Sequence, residues 1–272
     1  MKNFCRLLTG LLLLFPLIGT GIPSLQPVAD DLAAARKAVL YDGEYLVYEV
    51  SWTFLKLGTI RLRAHRNYTA EAYIDSYEGL HLVDLHSFNH TRMDSSFYSL
   101  GSHAIDKKDT MWAGLDYISD PARGLVRMEE IRQSDIHSPP YLRVTRDSIK
   151  VPTMRFLDGL CIGYFPRAYI RTRDTLNVPT ILYGKLGTTT FCFSGDRTTE
   201  QIDAVDKPVR VVKVPGTTSV EGIYGMTGAF TGWFSDDSAA VPIKGKLKVL
   251  IGNVTVELIQ WKRDAWNPPT AE

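Results

Sequence analysis

Short runs in which apolar and polar residues alternate recur along most of the chain. In the first, Leu46, Tyr48, Val50 and Trp52 alternate with more polar neighbours, a period of two that places four apolar side chains on one face of a β-strand. A second run, 57–64, predicts its hairpin partner. Similar runs predict further strands at 69–77, 81–97, 110–118, 124–131, 141–149, 178–183, 188–193 and 209–214.

The last part of the chain continues this pattern. Residues 227–261 resemble three strands joined by two tight turns. Between two earlier runs, the loop 119–124 contains Pro121, which presets one turn dihedral, and Gly124, which tolerates a positive φ. The spacing of strands and turns therefore predicts a succession of antiparallel hairpins.

Only one segment of the core has a convincing helical pattern. Over 157–170, apolar residues recur on one side, Asp158 lies near the start where it favours the helix dipole, and Pro166 predicts a kink or an early end. Residues 30–40 predict a short N-terminal helix or a flexible lead-in. The expected fold is all-β and predominantly antiparallel: a large curled sheet, barrel or half-barrel with one embedded short helix.

The N-terminus has the pattern of a signal peptide. Lys2 and Arg6 precede an apolar run, 7–18, and small residues at 19–21 offer a cleavage site. The run falls short of the roughly twenty apolar residues that span a bilayer, so secretion is favoured over anchoring. The predicted organisation is a signal peptide over 1–21, a lead-in over 22–42, a single β-rich domain over 43–264 and a flexible tail over 265–272, in an exported, periplasmic protein.

Charge excludes one class of partner. Removal of the leader leaves 29 basic against 30 acidic residues, scattered through the chain without a basic stripe, so nucleic acid is excluded as a partner. With 44% apolar residues, about 250 remaining residues can bury roughly 70% of their unfolded surface. A core of this size needs no disulfide or metal.

Several segments, in the same order, resemble the exported bacterial family catalogued as domain of unknown function 3108. The similarity is carried by the segments 43–52, 57–63, 158–165, 233–237, 241–244 and 252–258. It implies a periplasmic, mostly antiparallel barrel-like or half-barrel fold, and it transfers no active-site residue. The chain departs from the family pattern at Cys161 and Gly163, where Ser and then Leu or Ala are expected, and at Pro166.

One polar stretch could hold a metal ion. Asp84, His86 and His90, with His81 and Asp94 nearby, lie close together in the sequence, and neighbouring same-face residues of a strand are about 6.5–7 Å apart. The alternative, which we favour, is a polar outer face of a strand, because zinc sites usually draw ligands from several elements.

The two cysteines that remain after the leader are Cys161 and Cys192. An oxidising compartment would permit a disulfide between them, and the sequence leaves open whether they meet. Two small buried apolar side chains are the favoured interpretation.

No catalytic motif is present in the sequence. The adjacent Asp236 and Asp237 are typical of a tight turn, the glycines over 222–228 lack the spacing of a phosphate loop, and Ser194 lacks the glycine of a nucleophile elbow. We therefore predict no catalytic residues and no cofactor.

The aromatic residues are the remaining indication of function. Most are expected in the core, but if the sheet curls around a cavity, Trp52, Trp112 and Trp233 are candidates to line it. The leading hypothesis is a non-enzymatic envelope protein that binds, carries or assembles a lipid, lipoprotein or polysaccharide component, with peripheral membrane association allowed. The alternatives are a glycan-acting hydrolase or transferase with carboxylates assembled by the fold, and a purely structural interaction scaffold. The oligomeric state stays open.

Overall fold

The computed structural model describes residues 26–80, 84–151, 153–222, 227–249 and 252–272. Within them the chain forms two helices and fifteen strands: α1 (Gln26–Val39), β1 (Tyr45–Trp52), β2 (Leu55–His65), β3 (Thr69–Ser76), β4 (His86–Met93), β5 (Ser99–Lys108), β6 (Met111–Asp120), β7 (Leu125–Gln133), β8 (Leu142–Lys150), α2 (Cys161–Tyr169), β9 (Thr175–Leu182), β10 (Lys185–Cys192), β11 (Asp196–Glu200), β12 (Val209–Thr218), β13 (Gly228–Ser235), β14 (Pro242–Lys248) and β15 (Asn253–Lys262).

The strands form one antiparallel sheet. Its order is β8-β7-β6-β5-β4-β3-β2-β1-β15-β14-β13-β12-β10-β9, with β11 paired to β12 at the side. The last strand in the chain therefore pairs with the first, which joins a ladder of early hairpins to a ladder of late ones. In the described part of the chain, β8 and β9 do not pair with each other, so the curled sheet is not closed. The predicted fold class is confirmed.

Turn chemistry sets the register of the hairpins. Tyr183 and Gly184 both have positive φ, 48° and 75°, which is the backbone of the tight turns that match the twist of paired strands. In the loop between β6 and β7, Gly124 has φ of 64° and its amide donates to the carbonyl of Pro121 at 3.3 Å. The predicted hairpin loop at 119–124 is therefore present.

The curl of the sheet is filled at one end by α2. The largest core cluster joins Phe165 of α2 to Phe97 after β4, to Phe191 of β10 and to Phe234 of β13. These residues come from both halves of the sheet, and all four are buried. We call the end of the sheet that holds α2 the base, and the opposite end the rim.

The helix is shorter than predicted because its first four residues have another role. Leu157 bridges to Thr180 of β9, and its amide donates to the carbonyl of Pro179 at 2.8 Å. The helix then begins at Cys161 and runs through Pro166 to Tyr169. The predicted range 157–170 is thus too long at its start, whereas Pro166 does not end the helix.

Both ends of the β domain differ from a simple lead-in and tail. The predicted lead-in contains α1, whose Arg36 Nη2 donates to the Tyr169 hydroxyl of α2 at 2.9 Å. At the other end, the amides of Arg210 and Ala271 bond to the carbonyls of Pro269 and Pro208, each at 2.7 Å. Residues 269–271, within the range predicted as a flexible tail, therefore pair with the start of β12. The predicted signal peptide, 1–21, lies outside the described residues.

Candidate ligand cavity

A cavity of about 480 Å³ lies between the inner face of the sheet and the first turns of α2. It falls within the range of roughly 300–1,000 Å³ that small-molecule sites occupy. Both ladders of hairpins contribute to its wall, which shows that the sheet curls around it. Its apolar lining includes Ile60, Leu62, Ile74, Phe230, Leu247 and Val256.

The two halves of the sheet meet across the cavity without pairing as strands. The amide of Gly184, in the turn between β9 and β10, donates to the Tyr117 hydroxyl of β6 at 2.9 Å. Ile181 of β9 packs into the same cluster as Tyr117 and Met128. Burial raises the pKa of Tyr117 above its ordinary value, so this hydroxyl stays neutral and keeps its hydrogen-bonding role. Side-chain packing thus draws the unclosed sheet together.

The floor of the cavity is held by Asp158, which precedes α2. One carboxylate oxygen accepts the amides of Leu160 and Cys161, each at 3.0 Å. The other accepts the hydroxyl of Ser99 at 2.7 Å and that of Thr91. Because unpaired amides at a helix start need acceptors, this single carboxylate both caps α2 and fixes it to β4 and β5.

Gly163 leaves space above that floor. Apart from its chain neighbours and the backbone of α2, a Cβ atom built on Gly163 would have no heavy atom within 4 Å, although the residue lies in α2 and lines the cavity. The glycine therefore adds open volume to the cavity where a side chain would occupy it.

The wall formed by β4 and β5 is more polar than the rest. Ser87, Asn89, Ser102 and Asp106 all line the cavity, and the Ser87 hydroxyl donates to the Asp106 carboxylate. On these two strands the large apolar side chains Phe88 and Ile105 belong to a separate buried cluster away from the cavity. The cavity is thus apolar on most sides with one hydrogen-bonding wall.

An ion-pair cluster seals the base behind α2. The guanidinium of Arg167 donates to both carboxylate oxygens of Glu44, at 2.7 and 2.9 Å, and Arg263 donates to the same carboxylate. The two arginines also donate to the Val39 carbonyl at the end of α1, at 3.2 and 3.1 Å. Burial alone would raise the pKa of Glu44, but the two arginines outweigh it and hold the pKa below 4.5.

The three tryptophans do not line the cavity, which corrects that expectation. Trp112 packs with the separate cluster of β4, β5 and β7, and Trp233 lies beneath Lys246 with the Nζ 5.8 Å from its ring centre. On β13 side chains alternate, so Phe230 and Phe234 face the cavity while Trp233 faces away. Trp52 lies at the rim end of β1. The lining aromatics are instead Tyr48, Tyr117, Tyr183, Phe191, Phe230 and Phe234.

The structure brings together only some of the residues that were candidates for a metal site. His86 lies 2.8 Å from Asp75 and 3.6 Å from Asp84, whereas His90 lies opposite His103 and Glu71 in the sheet. Burial lowers the pKa of His90. Within the described part of the chain, no three His, Cys, Asp or Glu side chains are grouped as metal ligands. His81 lies outside the described residues.

Both cysteines are free thiols in this structure. Cys161 is fully buried at the start of α2, with its sulfur 3.8 Å from the Thr91 hydroxyl. Burial raises the pKa of this thiol well above its usual range, and the nearby Asp158 adds to the effect. Cys192 ends β10 and is half-buried.

Carboxylates do not form an acid/base pair around the cavity. Among the described lining residues the carboxylates are Asp106 and Asp158, and Asp158 is occupied by the four hydrogen bonds that fix α2. Asp116 and Glu129, which share Arg143 at 2.5 and 2.7 Å, do not line it. The geometry therefore gives the glycan-hydrolase alternative no specific support.

No family model matches the chain, and no curated protein matches its sequence. The resemblance to the domain of unknown function 3108 family accordingly stays a prediction. Among solved structures, a β-barrel-like protein of domain of unknown function DUF1849 from Brucella abortus is similar, with a TM-score of 0.51 at 8% identity over 84% of this chain and all of that one. This likeness supports the fold class alone.

Two mycobacterial proteins are more distant. The lipoprotein LppX from Mycobacterium tuberculosis has a TM-score of 0.29 at 9% identity, over 90% of this chain and all of its own. LprF from Mycobacterium bovis has a TM-score of 0.28 at 12% identity, over 90% of this chain and 97% of its own. Scores this low do not establish a common fold.

Neither α1 nor α2 could cross a bilayer, since no described helix combines the necessary length and apolar character.

Proposed function

We propose that the chain is an exported envelope protein that binds and carries an amphiphilic lipid by enclosing its acyl chain in the cavity between the sheet and α2. The observation that carries this proposal is the cavity itself: about 480 Å³, with apolar walls from both halves of the sheet. An acyl chain gains free energy in such a site because apolar surface leaves water.

The distribution of polar groups favours a lipid over a glycan. A sugar ring needs hydrogen-bonding partners around most of its edge, because each buried polar group without a partner costs free energy. Here the polar lining is concentrated on β4 and β5, with Ser87, Asn89 and Asp106. One polar wall beside an otherwise apolar space suits a molecule with a polar head and an apolar chain.

Export supports a carrier role in the envelope. The proposed periplasmic location rests on the predicted leader over 1–21. A water-filled compartment between lipid surfaces is where an acyl chain requires an apolar enclosure.

Titration with a fluorescent fatty acid tests the proposal. The protein, purified without detergent and stripped of lipid by solvent, should bind the probe saturably at one site. Gly163→Phe should weaken binding on the order of tenfold, because the ring would occupy the space that is open above Gly163. Thr198→Phe introduces the same side chain on the exposed strand β11 and should leave binding unchanged. Equal affinity of the wild-type protein and the Gly163→Phe variant would contradict the proposal.

A further inference from the structure

Asp106 places a carboxylate without a positive partner in the wall of the cavity. It lies on β5, lines the cavity and accepts a hydrogen bond from the Ser87 hydroxyl of β4. In the described part of the chain, no Lys, Arg or His side chain is ion-paired with it. Lys108, two residues further on, is exposed and does not line the cavity. A carboxylate beside an apolar space loses hydration, and here no opposite charge compensates for that loss.

This carboxylate lies at the end of β5 away from α2. At the other end of the strand, Ser99 donates to Asp158, the residue that caps α2. Asp106 follows Ser99 by seven residues, so at about 3.3 Å per residue the two positions are up to roughly 23 Å apart. Gly163 and the open space above it lie at the α2 end. A head group bound at Asp106 would therefore direct its acyl chain along the cavity toward Gly163.

Two further polar side chains on the same wall are free to contact a ligand. Asn89 lies on the same face of β4 as Ser87, about 6.5–7 Å along the strand, and Ser102 lies on β5. Both line the cavity, and neither side chain has a hydrogen-bond partner among the described residues. By contrast, the hydroxyls of the lining residues Thr189 and Thr218 are bonded to each other at 3.2 Å.

The lining offers no free positive charge to an anionic head group. The basic side chains among the described lining residues are His90, His103 and Lys244. The Lys244 ammonium is paired with Glu257 at 2.8 Å, and His103 is bound to Asp116 at 2.7 Å. Burial lowers the pKa of His90, which favours its neutral form. A phosphate or carboxylate inside the cavity would therefore lose hydration without gaining an unpaired cation.

From these observations we infer that the cavity selects a lipid whose head group carries a protonated amine, held by the Asp106 carboxylate while the acyl chain extends toward α2. This inference rests on the proposed function. An ammonium group has three donors, and a charge-assisted hydrogen bond is roughly twice as strong as a neutral one. Asp106 would accept one donor, and the amide oxygen of Asn89 is available for another.

Two amphiphiles with the same chain and opposite charges test the head-group assignment. Dodecylamine and dodecanoic acid, each below its micelle concentration at neutral pH, are titrated calorimetrically into protein stripped of lipid by solvent. The wild type should bind the amine on the order of tenfold more tightly, because a hydrogen bond to a charged group contributes about that factor. Asp106→Asn keeps an oxygen for the Ser87 hydroxyl but removes the charge. It should lower the affinity for the amine on the order of tenfold without weakening the acid.

Asp206→Asn is the matched control, because it removes the same charge from an exposed residue outside the lining. Its ratio of amine to acid affinity should equal that of the wild type. Retained acid binding by Asp106→Asn would show that the cavity of this variant is intact. A wild type that prefers the acid, equal changes of the ratio in the two variants, or loss of both amphiphiles in Asp106→Asn would overturn the inference.

The same titrations separate this inference from the proposed function. Gly163→Phe should weaken both amphiphiles alike, because its ring would occupy space for the chain and not for the head group. If the wild type and Asp106→Asn bind the amine and the acid equally well, the head-group assignment fails while the cavity assignment stands. If neither amphiphile binds the wild type saturably, both assignments fail.

Discussion

Arg167 in α2 and Glu44, the residue before β1, form a doubly hydrogen-bonded ion pair at the base of the sheet, with both side chains only 1% exposed. The pair joins the helix under the cavity to the first strand. Arg263, which follows β15, binds the same carboxylate. A single carboxylate therefore links three elements: the start of β1, the end of β15 and the helix α2.

Removal of that carboxylate should destabilise the fold. Glu44→Gln leaves two buried guanidinium groups without a counter-charge, and breaking a buried pair by removing one partner costs about 3–5 kcal/mol. The urea midpoint of the variant should fall accordingly. Glu221→Gln, which removes an exposed partner of Lys185, should leave the midpoint nearly unchanged. Equal midpoints for all three proteins would show that the buried cluster is not stabilising.

The same carboxylate should contribute to the acid sensitivity of the protein. Although burial raises the pKa of Glu44, the arginines hold it below 4.5 in the folded state. When folding lowers the pKa of a carboxyl group, its ionised form stabilises the fold at pH values above the pKa that the group has in the unfolded chain. This stabilisation is lost as the pH falls through the lower pKa that the group has in the folded protein. The free energy of unfolding should therefore decline below pH about 4.5, and Glu44→Gln should lack this part of the decline. Urea unfolding curves at a series of pH values measure how the free energy of unfolding changes with pH in the wild type and in Glu44→Gln. The same pH dependence in both proteins would contradict this role of Glu44.

Gly163 should control cavity volume and helix stability in opposite directions. Alanine at a glycine position inside a helix stabilises it by about 0.5–1 kcal/mol, and the space around Gly163 accepts a side chain without a clash. Each larger side chain fills more of the cavity. The variants Gly163→Ala, Gly163→Leu and Gly163→Phe should therefore bind the fatty acid probe progressively less well. None of the three should melt below the wild type. A variant that loses binding only because it unfolds would show a lower melting temperature and would not support the cavity.

The two thiols should differ sharply in reactivity. Cys161 is fully buried with a raised pKa, and only a thiolate reacts readily with alkylating agents. In the folded protein, iodoacetamide should modify Cys192 and leave Cys161 unmodified, whereas both should react in denaturant. Peptide mass spectrometry distinguishes these cases. Protection of both thiols that is lifted only by a reductant would instead reveal a disulfide.

The sequence predicts most strands because their two faces differ in polarity. For β1 and β2 the alternation is clear, and the predicted runs agree with the structure to within two residues at each end. The alternation does not predict strand β5, because Ser102 and Asp106 face the cavity while Ile105 packs on the other side. When the inner face of a strand is polar and its outer face is buried by other side chains, the usual alternation of apolar inner and polar outer residues is absent. The short strand β11 has no apolar residue and therefore no alternation that could predict it.

The site was harder to predict than the fold. The aromatic residues that line the cavity come from distant strands. On β13, the alternation of Phe230 and Phe234 with the outward Trp233 identifies the lining residues only when the inner face of the sheet is known. Glu44 and Arg167 carry no sequence signal as a pair, since they are 123 residues apart. Arg167 does interrupt the apolar side of a short helix, and a charge at such a position indicates a buried partner.

The most direct test of a lipid-binding cavity is native mass spectrometry of the protein purified from its own envelope without detergent, with solvent extraction of whatever is bound. The wild type should carry a stoichiometric adduct whose extract contains an acyl-chain lipid, and Gly163→Phe, purified in the same way, should lose most of that adduct. A clean unliganded mass for the wild type, together with no saturable binding of the fatty acid probe, would contradict the account.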